Sequence, residues 1–138
     1  ASKIDSTIIA ETYINGNEYA IPILNNAALP IIEIKPKTNF YNFDAKYNRQ
    51  DTKFICPANL SKEFVEKINE KSLDAFFSLG CTGYGRVDFM INDKNELFFI
   101  EVNTIPGFTD HSLMPMSAKA IGKNFDDLVL DILGETCD

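Results

Sequence analysis

The chain lacks several features that mark whole classes of protein. No apolar run approaches the roughly 20 residues that a membrane-spanning helix needs. Basic residues are outnumbered, 13 against 20 acidic ones, and the net charge is −7. Because nucleic-acid binding requires clustered lysine and arginine, nucleic acid is not an expected partner. A membrane is not an expected partner either.

Cysteine and histidine are also scarce. The three cysteines, Cys56, Cys81 and Cys137, are odd in number and have no CxxC spacing, which fits a reduced protein better than a disulfide framework. Residues 1–5 are polar and no long apolar segment follows them, so no secretory signal is predicted. We therefore expect a cytoplasmic location. The single histidine, His111, is interpreted as a loop residue with no role in proton transfer.

What the chain does have is the size and composition of one ordinary globular domain. Its 138 residues are 45% hydrophobic and 24% charged, enough for a single core spanning residues 1–138. Strand-like segments come mostly as hairpins and helical segments come late. This order predicts an α+β fold, an antiparallel β-sheet flanked by helices.

Hydrophobic periodicity and turn residues predict the individual elements. Strands are expected at residues 7–14, 18–24, 29–35 and 52–56, with a turn at 15–17 joining the first two. Helices are expected from the N-cap Ser61 to Gly80, over residues 113–121, and after the N-cap Asn124. Residues 37–52 have aromatic side chains but no sustained period, which is typical of a functional loop.

A second hairpin, residues 83–91 and 97–103, carries most of the candidate chemistry. If its turn is the two-residue Lys94-Asn95, Asp88 lies opposite Glu101 and Arg86 lies opposite Asn103. Alternation along strands then divides the side chains between two faces. The apolar face collects Val87, Phe89, Ile91, Phe98, Ile100 and Val102, and the other face collects Arg86, Asp88, Met90, Phe99, Glu101 and Asn103.

The polar face of this hairpin has the donors of a magnesium site. Two carboxylates directly opposite each other repel, and a cation between Asp88 and Glu101 removes that penalty. The amide of Asn103 adds an oxygen, and magnesium typically combines one or two carboxylates with substrate phosphates. The alternative interpretation is a solvated surface with no ligand.

Ordered motifs along the chain resemble the D-alanine–D-alanine ligases of the ATP-grasp superfamily. They are Gly83-Tyr84-Gly85-Arg86-Val87-Asp88, Glu101-Val102-Asn103-Thr104-Ile105-Pro106-Gly107 and His111-Ser112-Leu113-Met114-Pro115-Met116, with Phe40-Tyr41, Ala45-Lys46-Tyr47 and Gly16-Asn17-Glu18 upstream. The resemblance covers nearly the whole chain but only the C-terminal domain of such a ligase. The N-terminal domain and most of the central domain are expected to be absent.

The resemblance implies an ATP-dependent ligase that makes a cell-wall precursor. ATP phosphorylates one D-alanine, and the amine of a second attacks the acyl phosphate to give the dipeptide used in peptidoglycan. Small molecules are the implied partners, and the parent enzyme is expected to be a homodimer. The isolated 138-residue chain is expected to be inactive.

The resemblance also implies roles for individual residues. Asp88, Glu101 and Asn103 match ligands of two Mg²⁺ ions (or Mn²⁺), with Glu101 bridging both. Arg86 and the backbone N–H of Gly107 match groups that stabilise the tetrahedral intermediate. The Ser112 hydroxyl and the Leu113 backbone N–H match the holders of the second D-alanine's carboxylate.

Nucleotide contacts are implied in the first half of the chain. Glu18 matches the acid that binds the ribose, and Phe40 matches an aromatic near adenine. Lys46 and Tyr47 match a loop that closes over the phosphates, where the tyrosine helps to select the second substrate. Glu11, Thr12, Tyr13 and Ile14 match the segment that reads adenine through backbone groups, although Thr12 stands where the family often has lysine.

Three alternatives stay open at this point. The parent could be another ATP-grasp carboxylate–amine ligase with a different acceptor. Within the ligase group, the acceptor could be an amine or the hydroxyl of D-lactate, and Tyr47 favours the amine. From a different class, the chain could be a stand-alone module that binds a divalent metal or a nucleotide.

Overall fold

A single antiparallel sheet organises the protein in this computed structural model, which describes residues 6–36 and 52–134. The strands are β1 Gly16–Leu24, β2 Ala27–Ala28, β3 Ile32–Pro36, β4 Thr52–Ile55, β5 Gly85–Asn92 and β6 Leu97–Asn103, and the helices are α1 Lys62–Ser78, α2 Leu113–Ala120 and α3 Phe125–Gly134. Strand order across the sheet is β4-β3-β1-β5-β6, with β2 pairing the end of β1. The predicted α+β class is confirmed.

Helices α1 and α3 begin at the predicted N-cap residues, and α1 ends just before the predicted glycine. The Ser61 side chain accepts a hydrogen bond from the Phe64 N–H (3.3 Å) at the start of α1. Gly80 follows this helix with a φ of 72°, a conformation that glycine adopts at little cost. Asn124 accepts from the Asp127 N–H (2.9 Å) at the start of α3. Each of these three local signals therefore marks the end of a helix correctly.

The two faces of the sheet are covered by different helices. Helix α1 lies against one face, where its Ile68 and Phe76 join a buried cluster with side chains of β1 and β5: Tyr19, Ile21, Ile23, Val87, Phe89 and Ile91. Helices α2 and α3 form a second cluster with Leu24 and Leu29 near one end of β1. The face that carries Arg86 and Asp88 is the one opposite α1, because residues of β5 alternate between faces.

The predicted strand at residues 7–14 and the turn at 15–17 are wrong. Residues 7–15 form neither helix nor strand, and Gly16 already belongs to β1, where it pairs with Asn92. Among the described residues no strand pairs with residues 7–14, and their apolar side chains Ile8, Ile9 and Tyr13 are exposed. Isoleucine and threonine content alone therefore misassigned this segment.

Because one tyrosine is buried, the stability of the fold depends on pH in the alkaline range. Tyr19 is only 5% exposed and its ring stacks on Phe89, with 5.6 Å between ring centroids. Loss of solvent raises the pKa of Tyr19 above its ordinary value of 10.0. A hydrogen bond with Asn17 opposes this rise, the charge of Glu33 adds to it, and the charge of Lys35 opposes it.

We expect the free energy of unfolding to fall more steeply above pH 10 in the natural chain than in Tyr19→Phe. The protonated phenol is favoured in the folded state, so its contribution is complete below the unfolded pKa and is lost as pH rises through the folded pKa. Urea unfolding at pH 8 and pH 11 measures the difference for both proteins. Equal losses in the two proteins would contradict this account of Tyr19.

Candidate active site

The β5–β6 hairpin has the predicted register at its chemical end. Arg86 pairs with Asn103, and Asp88 pairs with Glu101. Directly opposite residues on neighbouring antiparallel strands point to the same face. The opposite face carries Val87 and Val102, which belong to the core under α1. The four polar side chains therefore project together from the face opposite α1.

This register is reached by a route that the sequence did not predict. The turn contains three residues, 93–95, because the Asn92 N–H donates to the Glu96 carbonyl (3.2 Å), and the predicted two-residue turn is wrong. Asn95 takes a φ of 59°, as the last residue of such loops often does. A β-bulge then shifts the pairing between Asp88 and Phe89, which restores the register that a two-residue turn would give.

The bulge exchanges two phenylalanines between the faces of β6. Phe98 pairs with Met90 and lies on the polar face, whereas Phe99 pairs with Phe89 on the core side. Ring centroids of Phe89 and Phe99 are 6.2 Å apart, in agreement with this pairing. The predicted faces of Phe98 and Phe99 are therefore wrong. Ile100, the residue without a partner, is 55% exposed, so its assignment to the apolar core face is also wrong.

The candidate metal ligands differ in exposure. Asp88 is 7% exposed, Asn103 is half-buried, and Glu101 is exposed. The Asn103 side-chain oxygen accepts a hydrogen bond from the Ile105 N–H (3.1 Å). That bond orients the amide and leaves its oxygen a second lone pair.

Arg86 holds the Asp88 carboxylate through two parallel hydrogen bonds. Arg86 Nε lies 2.7 Å from one carboxylate oxygen and Arg86 Nη2 lies 2.8 Å from the other. Both side chains are largely buried, with 13% and 10% of their surfaces exposed. Bidentate pairs of this type are among the stronger hydrogen-bonded contacts in proteins. The guanidinium here supplies the positive charge that offsets the repulsion between Asp88 and Glu101.

The donor set fits magnesium bound together with phosphate. Within residues 6–36 and 52–134, no group of three or more His, Cys, Asp or Glu side chains is placed to hold a metal by itself. Two carboxylates and one amide are present instead. Magnesium commonly accepts such a partial set and completes its shell with water and substrate phosphates.

A cleft of about 1120 Å³ opens beside this hairpin. Five of the predicted nucleotide-contacting residues line it, namely Glu11, Thr12, Tyr13, Ile14 and Glu18. Met90, Phe98, Phe99 and Ile100 also line it, and the sequence reasoning assigned none of these to nucleotide binding. The predicted position of Met90 on the polar face was a signal for its place in the cleft. The bulge that brings Phe98 there could not be recognised from the sequence.

The residues predicted to hold the second substrate meet at the start of α2. Ser112 is the N-cap, and Leu113 is the first helical residue. The Ser112 hydroxyl is within 3.0 Å of the Thr109 hydroxyl and accepts from the Thr109 N–H (2.9 Å). Gly107 is close by, since a β-carbon there would lie 3.5 Å from the Ser112 oxygen. Thr109, which the sequence reasoning missed, orients the serine.

The first backbone N–H groups of α2 suit a carboxylate. A helix N-terminus presents N–H donors without helical partners and the positive end of the helix dipole.

Three other candidates, Phe40, Lys46 and Tyr47, lie outside the described residues, as does most of the predicted loop at 37–52. None of the helices in the described ranges has the length and apolar content needed to cross a membrane.

The sequence and the fold match those of known ligases. A family model described as D-ala D-ala ligase C-terminus matches residues 1–134. A solved D-alanine–D-alanine ligase from Bacillus anthracis, complexed with ATP, superimposes with a TM-score of 0.76 at 37% identity over 90% of this chain and 40% of that one. VanG D-Ala:D-Ser ligase from Enterococcus faecalis superimposes with a TM-score of 0.74 at 32% identity, over 90% and 37% of the two chains.

Curated relatives agree with the structural neighbours. A D-alanine–D-alanine ligase from Alkalilimnicola ehrlichii is 45% identical over 133 residues, which are 96% of this chain and 43% of the relative. One from Dechloromonas aromatica is 44% identical over 96% of this chain and 44% of the relative. The chain belongs to the D-alanine–D-alanine ligase C-terminal domain family, and it spans less than half the length of these relatives.

Proposed function

We propose that the chain supplies one wall of the active site of an ATP-dependent D-alanine–D-alanine ligase. The observation that carries this proposal is the pairing of Asp88 with Glu101 and of Arg86 with Asn103, beside a cleft lined by Glu11–Ile14 residues and Glu18. Metal-type oxygens, a guanidinium and a nucleotide-sized cleft then adjoin on one face of the sheet. Family membership supports the assignment to this ligase rather than to another ATP-grasp enzyme.

Nucleotide and metal have defined places in this proposal. The exposed segment before β1 and the apolar side chains of β5 and β6 receive adenine, and Glu18 receives the ribose. Asp88, Glu101 and Asn103 hold Mg²⁺, two ions in all, or Mn²⁺ in its place. The metal, when bound, neutralises charge on the phosphates as the phosphoryl group moves.

The remaining residues act on the two D-alanine substrates. Arg86 and the Gly107 N–H stabilise the oxyanion that develops when the amine attacks the acyl phosphate, the kind of electrostatic contribution that is worth about 3 kcal/mol per donor in other acyl transfers. The Ser112 hydroxyl and the Leu113 N–H hold the carboxylate of the second D-alanine. By the family resemblance alone, Lys46 is assigned to the phosphates, Tyr47 to selection of the acceptor, and Phe40 to the adenine.

The setting of the reaction follows from its product. A D-alanyl-D-alanine dipeptide serves peptidoglycan synthesis, and we place its synthesis in the cytoplasm, where ATP is available. The full-length protein is proposed to be a homodimer. Size-exclusion chromatography with light scattering on that protein tests the oligomeric state.

The proposed activity is tested by supplying the full-length protein with ATP, Mg²⁺ and D-alanine and measuring dipeptide and ADP. We expect stoichiometric formation of both. The 138-residue chain alone is expected to form no dipeptide, because apolar side chains of its cleft, such as Tyr13 and Ile100, are exposed. A closed active site requires another part of the protein to cover them. Dipeptide formation by this chain, or none by the full-length protein, would contradict the proposal.

The acceptor is the one point on which a second candidate has support. The resemblance to a solved D-Ala:D-Ser ligase makes D-serine a candidate acceptor, whereas the 45% identity to a D-alanine–D-alanine ligase favours D-alanine. Competition between D-alanine, D-serine and D-lactate at equal concentration decides the matter. We expect the D-alanyl-D-alanine product to dominate.

We expect Glu18→Gln to weaken ATP binding by the chain about tenfold, because a charge-assisted hydrogen bond to a ribose hydroxyl is replaced by a neutral one. Isothermal titration of ATP with Mg²⁺ measures this loss. Glu70→Gln, a change of the same charge at an exposed position of α1, is the matched control. Equal affinities of the two variants would exclude a ribose contact by Glu18.

A further inference from the structure

The Arg86 side chain makes contacts with Asp88 that its proposed role in stabilising the oxyanion does not require. Arg86 is assigned to the reacting oxyanion, yet both of its contacting nitrogens are bonded to Asp88, at 2.7 and 2.8 Å. Asp88 is assigned to the metal, yet each of its oxygens already accepts a hydrogen bond from the guanidinium. The remaining lone pairs can still bind an ion, but that ion would share the carboxylate with a positive charge that repels it, and the Nε and Nη2 groups of Arg86 would stay bonded to Asp88 rather than to the reacting oxyanion.

We propose that Arg86 and a divalent cation compete for the Asp88 carboxylate, so that loading of the metal site releases the guanidinium toward the reacting groups. This inference rests on the proposed metal site. Without the metal, Arg86 offsets the repulsion between Asp88 and the facing Glu101. With the metal bound, the same carboxylates have a stronger counter-charge and Arg86 is no longer required as their partner.

Burial makes the competition strong. Only 13% of the Arg86 side chain and 10% of the Asp88 side chain are exposed, so water screens the pair poorly. A nearby charge in such surroundings commonly shifts an ionic equilibrium by about one to three orders of magnitude. A guanidinium bound to a metal ligand must therefore lower the affinity for a free divalent cation, by repelling the ion and by using one lone pair of each carboxylate oxygen.

The opposite role for Arg86 is a structural one. If the arginine served to orient Asp88 for the metal, its removal would weaken metal binding. The sign of the change in affinity therefore separates the two roles, and measuring it requires no catalytic turnover.

The test is the affinity of the full-length protein for Mn²⁺, with and without a non-hydrolysable ATP analogue, measured by titration with detection of the free ion by electron paramagnetic resonance. We expect Arg86→Met to bind Mn²⁺ roughly tenfold more tightly than the natural chain, the low end of the effect of a buried neighbouring charge. Arg86→Lys, which keeps the charge but loses the two-pronged contact, is expected to lie between them. Lys71→Met is the matched control, since it removes one positive charge at a half-exposed residue of α1.

Unfolding measurements guard against a variant that folds poorly. Arg86→Met leaves Asp88 buried without its partner, so its melting temperature is expected to fall without metal and to recover more than that of the natural chain when Mn²⁺ is added. If Arg86→Met is too unstable to titrate, Arg86→Lys carries the comparison alone, and its affinity must exceed that of the natural chain.

The outcomes separate this inference from the proposed function. Glu101→Gln is expected to weaken Mn²⁺ binding, and if it does so while both Arg86 variants bind no more tightly than the natural chain, the competition is refuted and the metal site stands. If no protein in the set binds Mn²⁺ in a manner that depends on Glu101, both are refuted. An equal gain for Lys71→Met would also refute the competition, because net charge alone would then explain it.

Discussion

Glu101→Gln in the full-length protein is expected to lower kcat for dipeptide formation by about 10²–10³-fold, the loss typical of removing one electrostatic contributor to a transition state. The amide keeps the size of the side chain but removes the charge that is proposed to bridge the metal ions. Coupled-assay kinetics with saturating ATP and D-alanine measure this loss. A neutral ligand is also expected to raise the Mg²⁺ concentration needed for half-maximal rate.

Stability is expected to move the other way in the same variant. Glu101 is exposed and lies opposite Asp88, so removing its charge relieves a like-charge pair that costs up to about 1 kcal/mol. The melting temperature should therefore hold or rise while activity is lost. Glu70→Gln on α1 is the control and should change neither quantity. Full activity in Glu101→Gln would remove Glu101 from the metal site.

Gly16→Ala is expected to destabilise the chain by about 1–3 kcal/mol, the cost of forcing an extra methyl against atoms that cannot give way, although Gly16 itself is exposed. A β-carbon at Gly16 would lie 2.2 Å from the carbonyl oxygen of Ile91 and 2.9 Å from the Asn92 α-carbon. Both are backbone atoms of β5, so no side chain can rotate away. Either β1 and β5 must separate at this end or the segment before β1 must move.

Urea unfolding at neutral pH measures the change in the free energy of unfolding. Gly134→Ala is the matched control, because a β-carbon there meets nothing within 4 Å, and we expect it to be as stable as the natural chain or up to about 1 kcal/mol more stable, since alanine is the better helix former. Because Gly16 also lines the cleft, Gly16→Ala should weaken ATP binding as well. Equal stability of the two variants would show that β1 and β5 are less tightly apposed at Gly16 than the structure places them.

The helix ends could be predicted because their signals are local. Ser61, Gly80 and Asn124 act on backbone groups within a few residues of themselves, so their types alone mark helix ends. The facing of Asp88 and Glu101, by contrast, was predicted by counting from a two-residue turn that is wrong, and it holds only because the bulge offsets that error.

The errors arose where distant parts of the chain decide the structure. Residues 7–14 have the composition of a strand, but within residues 6–36 and 52–134 no strand pairs with them, and pairing is a property of the whole sheet. The bulge beside Asp88 is likewise absent from any local pattern, and it moved Phe98 into the cleft. The turn and the bulge, each unpredicted, offset one another, so the predicted pairing of Asp88 with Glu101 is confirmed although the predicted turn is not.

The most direct test of the central claim is a crystal structure of the full-length protein with Mn²⁺ and a non-hydrolysable ATP analogue, with the metal located by anomalous scattering. We predict a Mn²⁺ ion at about 2.1–2.2 Å, slightly beyond the magnesium distance, from oxygens of Asp88, Glu101 and Asn103, and in contact with the phosphates. An ion bound elsewhere, with those three side chains directed apart, would contradict the account.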